Sequence, residues 1–422
     1  LLVFAKLYCV STIAIFHLFF VLQHCIVNLA FLQFSREHNM HYWHAALFII
    51  SSLLFTGHSG SARADEIRIG SVVDQSGLQS DVSRDYLAGA RTYFDQINLL
   101  GGINGRKINL IVKDDEGVMA NTVKLTRELI ETEHVDALFG YVGDDSVQAV
   151  SKDAVFKASR ITLYGPLSGA SGGTSPDHIF FVRPTYQDEA KHILQHFSTL
   201  GNTTFVVVSA VDTFGINMAD ELAEQLKARQ LKPAGKFALS ARLDNVETVA
   251  RDVFRLKPQV VVVAADTIAM AEFLKKFRAL DKGINVVGFS TVNHRTLLEL
   301  AKPEFAVSTM LTQVVPNPQS STTKLQTEHR AIMTKFRDEP PSHLTLEGFL
   351  AAKGLVRAME RAQERDGRSS GRGINRSSIA AALAGRKQFD LDGMTLTFTP
   401  NNNRGSKFVD LAYLRRSGTL VQ

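Results

Sequence analysis

Beyond residue 64 this 422-residue chain contains no cysteine and no tryptophan; Cys9, Cys25 and Trp43 all fall before that point. The 358 residues after Ala64 therefore form no disulfide and no cysteine-ligated metal site, and packing alone must hold them. An excess of one charge is missing too. The segment carries 44 basic against 41 acidic residues, with no basic run interleaved with aromatics, so nucleic-acid binding finds no support. No His-Glu-x-x-His pair and no phosphate-loop Gly-Lys-Ser/Thr occurs. Gly101–Gly105 lacks the dinucleotide-binding spacing and follows a helical stretch rather than a strand. His192 and His196 share a helix face without an accompanying carboxylate motif, so no metal site and no cofactor is expected. A fixed-period repeat is also absent, which excludes a solenoid.

The first 64 residues read differently from the remainder. They start at Leu1 and hold two apolar runs, Leu7–Val27 and Ala45–Phe55. From Met40, the run Ala45–Phe55 leads into Ala62-Arg63-Ala64, an apolar stretch followed by an A-x-A site, as in a secretory signal peptide. The expectation is a signal at 40–64 cleaved after Ala64, a periplasmic product, and a mis-assigned upstream extension at 1–39. A membrane segment at Leu7–Val27, with roughly the 20 residues a spanning helix needs, is the alternative.

After Ala64 the chain states one pattern twice: a short apolar strand, a Gly/Ser/Asp-rich loop, then an amphipathic helix. Strands are expected at Ile67–Val73, Ile108–Lys113, Ala137–Phe139 and Ile161–Leu163, and again at Phe205–Val208, Val260–Ala264 and Asn285–Phe289. This alternation implies an α/β protein of two Rossmann-like lobes, each a parallel sheet with helices on both faces. Pro184 marks one crossing between lobes, and Val314–Ser321, with Pro316 and Pro318, the return. Residues 65–184 with 313–385 are assigned to one lobe and 185–312 with 386–422 to the other, Thr395–Phe398 and Lys407–Leu414 completing the second. Arg365–Asn375 reads as a surface loop. Open sheets bind ligands outside the carboxyl ends of their strands, so two facing sheets imply a cleft closing on a small molecule.

Several blocks occur in order at characteristic distances: Asp85-Tyr-Leu-Ala-Gly-Ala-Arg-Thr-Tyr-Phe-Asp-Gln-Ile-Asn98, Gly101-Gly-Ile-Asn-Gly-Arg-Lys107, Asp114-Asp115, Leu138-Phe-Gly-Tyr-Val-Gly143, Gly165-Pro-Leu-Ser-Gly-Ala170 and Leu346-Glu-Gly-Phe-Leu-Ala-Ala-Lys353. Together they resemble the periplasmic substrate-binding proteins of branched-chain amino-acid (Leu/Ile/Val) ABC transporters, which share the type I periplasmic-binding fold. The resemblance implies two lobes joined by three hinge crossings, a ligand enclosed between them, and a closed form offered to an ABC permease. It further implies a monomer without catalytic activity whose ligand is an amino acid. The missing second-lobe acid and the Phe214 ring make an aromatic or aliphatic carboxylate the alternative ligand. A periplasmic sensor on the same scaffold is the alternative.

By position, the resemblance puts the first-lobe binding loops at Val142, Gly143, Asp144, Asp145 and Ser146, and at Leu167, Ser168 and Gly169. Second-lobe candidates are Phe214, Asp266, Ser290, Thr291 and Val292, with Tyr186 near the hinge. Each has a plainer reading. Ser168 stands where a helix would start and its hydroxyl suits a ligand carboxylate, or it only caps a turn. Phe214 could stack on an apolar ligand or fill a core, and Asp266 could take a ligand ammonium or cap the helix after it. Asp144 and Asp145 are the departure, because relatives often carry Thr, Ser or Pro there. An ionised aspartate repels a carboxylate. Either one aspartate pairs with a ligand ammonium, or both face solvent and backbone N–H groups bind.

Overall fold

The computed structural model describes residues 66–170, 178–366, 373–385 and 387–421. The expected upstream extension, the signal peptide and its cleavage site, and residues 367–372 of the expected loop lie outside them. No described helix is long and apolar enough to cross a membrane.

The first sheet contains β1 (Ile67–Val73), β2 (Ile108–Asp114), β3 (Ala137–Phe139), β4 (Leu163–Tyr164) and β5 (Ile179–Phe180) in the order β2-β1-β3-β4-β5, all parallel. Between them run α1 (Ser80–Leu99), α2 (Met119–Glu131), α3 (Asp144–Lys152) and α4 (Ala154–Ser159). The buried face of α1 carries Tyr86, Leu87, Ala90 and Phe94, at helical spacing. The helix ends at Gly101 and Gly102, both with positive φ, where the Gly102 N–H bonds back to the Ile97 carbonyl as in a glycine cap.

The chain crosses to a second layer system with α5 (Tyr186–Thr199), β6 (Phe205–Ala210), α6 (Thr213–Ala228), β7 (Gly235–Leu239), α7 (Val246–Arg255), β8 (Val260–Ala264), α8 (Thr267–Arg278), β9 (Asn285–Gly288), α9 (His294–Ala301), α10 (Pro303–Ala306) and β10 (Met310–Gln313). It returns through α11 (Lys324–Phe336), α12 (His343–Asp366), α13 (Arg376–Leu383) and the antiparallel pair β11 (Lys387–Asp390) and β12 (Thr395–Phe398). It then crosses once more to β13 (Asp410–Leu414) and β14 (Leu420–Val421), which give the second sheet the order β14-β13-β10-β9-β8-β6-β7. β13 runs antiparallel to β10, a connection that needs no crossover helix.

Each sheet is packed on both faces. Val206, Val208, Val261 and Val263 point to one side of the second sheet, Phe205, Val207, Val260 and Val262 to the other. Strands buried on both faces must read as continuous apolar runs, which is why Val260–Ala264 is wholly buried. One correction concerns the β11–β12 hairpin. It was expected with the second lobe, but Phe389, Leu396 and Phe398 lie in the core formed by α1, α12 and the first sheet, with Phe398 edge-on to Phe180 and Tyr164. Apolar alternation marks a strand's buried face without saying which core buries it. A smaller correction is β4, which begins two residues later than expected.

α1 and α12 approach so closely that a Cβ at Gly89 would stand 1.8 Å from the Thr345 carbonyl oxygen, and one at Gly348 would stand 1.9 Å from that of Tyr86. Backbone cannot retreat as a flexible side chain can. Gly89→Ala and Gly348→Ala should each cost about 3 kcal/mol by urea denaturation, since overpacking here forces the helices apart.

Candidate functional site: the cleft between the two sheets

The sheets face one another through their carboxyl ends, and a cavity lies where the loops meet. From the first sheet come Leu78, Gln79 and Val82 after β1, Val142, Gly143 and Asp144 after β3, and Leu167 after β4. From the second come Asp212 and Phe214 after β6, Ala265, Asp266 and Thr267 after β8, and Thr291 after β9, with Tyr186 at the crossing. In each sheet the strand order reverses at this point, between β1 and β3 and between β6 and β8. Adjacent loops diverge at such reversals and leave a crevice. The space open to the centres of water-sized molecules is about 50 Å³, several times the roughly 10–15 Å³ that holds one water.

Eight of the expected residues meet here: Val142, Gly143, Asp144, Leu167, Tyr186, Phe214, Asp266 and Thr291. The loops interlock through paired backbone bonds, Gly143 N–H to the Leu167 carbonyl and Leu167 N–H to that of Tyr141. Gly143 holds φ +94°, a conformation that favours glycine. Asp145, Ser146, Ser168, Gly169, Ser290 and Val292 do not line the cavity. Val292 is fully buried in the second core. Gly169 is pressed against Tyr186, where a Cβ would stand 2.5 Å from the ring. Asp145 and Ser146 lie further along the first turn of α3.

Ser168 is buried, and its hydroxyl donates to Asp144 Oδ1 at 2.6 Å. The hydroxyl expected to receive a ligand carboxylate is thus held by a carboxylate of the chain itself. Burial raises the Asp144 carboxyl above its ordinary range, opposed by the Ser168 bond and by Arg183. Asp266 lines the cavity and also caps α8, Oδ1 accepting the Ala269 N–H at 2.9 Å. Asp212 does the same for α6, accepting the Gly215 N–H at 2.7 Å. Desolvation, then the nearby Asp266 and Asp145 carboxylates, raise Asp212. Phe214 meets Tyr186 edge-to-face at 4.7 Å and Phe289 at 5.6 Å, so it is both wall and packing. Leu78, Gln79, Val82, Asp212, Ala265 and Thr267 were not foreseen. The sequence signal was present for Asp212 and Ala265–Thr267, which come directly after β6 and β8, as the carboxyl-end rule requires.

The hinge holds what sequence reading missed most completely. Arg183, fully buried where the first crossing begins, donates to the Ser290 hydroxyl and to Glu189 Oε1 at 3.3 Å, while its Nε lies 3.7 Å from Glu347 Oε1. Glu189 also accepts from Thr312 and, at 3.1 Å, from the Ser290 N–H. Burial would pull the Arg183 guanidinium down, but Glu347 and Glu189 hold it above its ordinary value. Ser290, expected against the ligand, is thereby committed to the hinge. Beside it, α9 and α12 touch through His294 Nδ1 and His343 Nδ1 at 3.1 Å, and Asp85 on α1 takes Arg295 and, at 3.1 Å, Asn293. His343 Nε2 faces the Ser290 carbonyl at 3.1 Å. A carbonyl only accepts, so that nitrogen carries the hydrogen and Nδ1 of the neutral ring accepts from His294.

Two α/β lobes, three crossings and a cavity between opposed carboxyl ends define a type I periplasmic-binding fold. The chain belongs to the periplasmic binding protein family, whose model matches residues 66–419. It is similar to the structure of a substrate-binding periplasmic protein from Ralstonia solanacearum, at 27% identity and TM-score 0.77, covering 85% of this chain and 100% of that one. It also matches the structure of a branched-chain amino acid ABC transporter protein from Thermus thermophilus with bound valine, at 18% identity and TM-score 0.72, covering 84% and 94%. A curated "Amino acid binding protein" from Pseudomonas aeruginosa is 21% identical over 352 residues, 82% of this chain and 90% of the relative.

The buried histidines set a pH dependence. Burial first, then the Arg183 and Arg295 charges, push His343 down to about 4; burial pushes His329 down to about 3 and His294 well below the usual range. Unfolded, these rings take protons below about 6.5. Their contribution to stability is therefore complete above pH 6.5 and lost as pH falls toward 4, on the order of 1 kcal/mol per ring by pH 5.5. Glu347 and Asp144, raised by burial, act with the opposite sign. The loss in unfolding free energy between pH 7.5 and 5.5 should be smaller in His343→Gln than in the parent by about 1 kcal/mol, as read by chemical denaturation at both pH values.

Proposed function

We propose that this chain is a periplasmic solute receptor that encloses an amino-acid-sized molecule between its lobes and delivers it to an ABC importer. It acts as a monomer and performs no chemistry. The observation that carries the reading is the cavity itself, built from the strand ends of two sheets on either side of the hinge. A ligand touching both walls stabilises the closed arrangement by its differential affinity, and that closed form is what a membrane partner can recognise. Val142, Gly143, Asp144, Leu167, Tyr186, Phe214, Asp266 and Thr291 are the proposed ligand-contacting residues, joined by Asp212 and Thr267. The relatives support the amino-acid scale of the solute, one being named an amino acid binding protein and another holding valine.

A broad thermal-shift screen of residues 65–422 against amino acids, amines, amides and small carboxylates tests this, paired with small-angle scattering on each hit. At 100 times its Kd, a ligand adds about 2.7 kcal/mol of stability. The expected result is a raised Tm together with a smaller radius of gyration. A hit that leaves the radius unchanged, or a screen without hits, argues against a closing receptor. Phe214→Ala should weaken the hit about tenfold by titration calorimetry, since the ring forms one wall of the cavity.

A further inference from the structure

Three of the helix starts around the cavity each bring a carboxylate to it. α6 and α8 are capped by Asp212 and Asp266, whose Oδ1 atoms hold the Gly215 and Ala269 N–H groups. α3 starts at Asp144, whose carboxylate also takes the Ser168 hydroxyl. Helix N-termini attract anions through free N–H groups and the dipole. At α6 and α8 an aspartate of the chain already holds one of those N–H groups, and at α3 the Asp144 carboxylate stands at the first turn. A ligand carboxylate would therefore meet a negative group at each of the three. Among the described residues, none that lines the cavity is Lys, Arg or His. The nearest cations are engaged behind the wall. Arg183 lies between Glu189 and Glu347, and Arg404 donates to the Ser168, Pro184 and Ala170 carbonyls with its guanidinium over the Phe181 ring at 4.1 Å. The remaining wall joins Tyr186 and Phe214 to apolar Leu78, Val82, Val142 and Leu167, and ring faces attract cations.

We infer that the cavity takes an organic cation: an ammonium on a compact apolar or aromatic body, without a carboxylate of its own. This rests on the receptor reading above and narrows it. Asp212, Asp266 and Asp144 would surround the ammonium from both lobes, so that binding it draws the two walls together. A carboxylate in the same place would meet three aspartates, with Arg183 and Arg404 already paired behind the wall, a cost that low local polarity enlarges. The aromatic wall would take the apolar body.

Two matched sets of probes test the assignment: valine, isobutylamine and isovalerate, and phenylalanine, 2-phenylethylamine and 3-phenylpropanoate. By titration calorimetry, each amine should bind at least about tenfold tighter than its amino acid or acid, with affinity falling as salt rises. Asp212→Asn and Asp266→Asn keep a good capping residue while removing the charge. Each should weaken amine binding about tenfold and leave the unliganded Tm in place. Tighter binding of valine or isovalerate, amine affinity unchanged in both variants, or no binding by any of the six probes would overturn the cation assignment. Contraction of the protein on valine or isovalerate would do so while leaving the receptor reading standing. A broad screen that produces no closing ligand at all would remove both.

Discussion

A guanidinium without solvent contact, at the point where the chain first leaves one sheet for the other, is the constraint around which the rest is arranged. Removing an ion from water costs several kcal/mol, and only surrounding partners offset it. Arg183 has partners from several places: Glu189 on α5 in the second lobe, Glu347 on α12 in the first, and the Ser290 hydroxyl after β9. Glu189 in turn ties the Ser290 N–H and Thr312, where the second crossing begins. Two of the three crossings are therefore pinned to one buried charge, while the cleft in front of it keeps an open cavity. Truncating one member would leave the others buried and uncompensated, which is costlier than the pair is worth.

The cleft depends on that arrangement. Tyr186 lies directly after the Arg183–Pro184 crossing, with the guanidinium 5.5 Å from its ring, and its N–H bonds the Gly169 carbonyl of the opposite loop. The residue that walls the cavity is thus positioned by the hinge. The switch points supply the remainder. Loops after β1 and β3 diverge on one side and those after β6 and β8 on the other, so the wall is made of helix starts. Helix starts carry a positive field, and at three of them an aspartate, Asp144, Asp212 or Asp266, stands against it.

Most of the architecture was legible because buried parallel strands must be uniformly apolar: Val260–Ala264 and Phe205–Val208 could hardly be anything else. Edge strand β7, Gly235–Leu239, alternates in exposure and escaped notice, as did the capping role of Asp212. The loops of the site were legible from their place after strands, and eight of the fourteen expected residues meet at the cavity. Ser168 was placed at the ligand because a hydroxyl near a helix start suits an anion, and Ser290 by its position in the resemblance. Spacing could not reveal that Asp144 and Arg183 claim those hydroxyls, since both bonds join residues 24 or more positions apart. The hinge charges were invisible for the same reason. Isolated Arg, Glu and His residues in apolar stretches announce a buried network only once the fold brings them together.

The β11–β12 hairpin has a consequence for how the molecule is made. Its Phe389, Leu396 and Phe398 complete the core begun by β1 and α1, about 300 positions upstream, after the whole central body of the second lobe has been laid down between them. A chain emerging from the ribosome cannot seal its earliest layer until almost its last residues appear. Contacts so distant in sequence close slowly, and until they do, apolar surface of the leading half stays uncovered and open to whatever holds nascent chains.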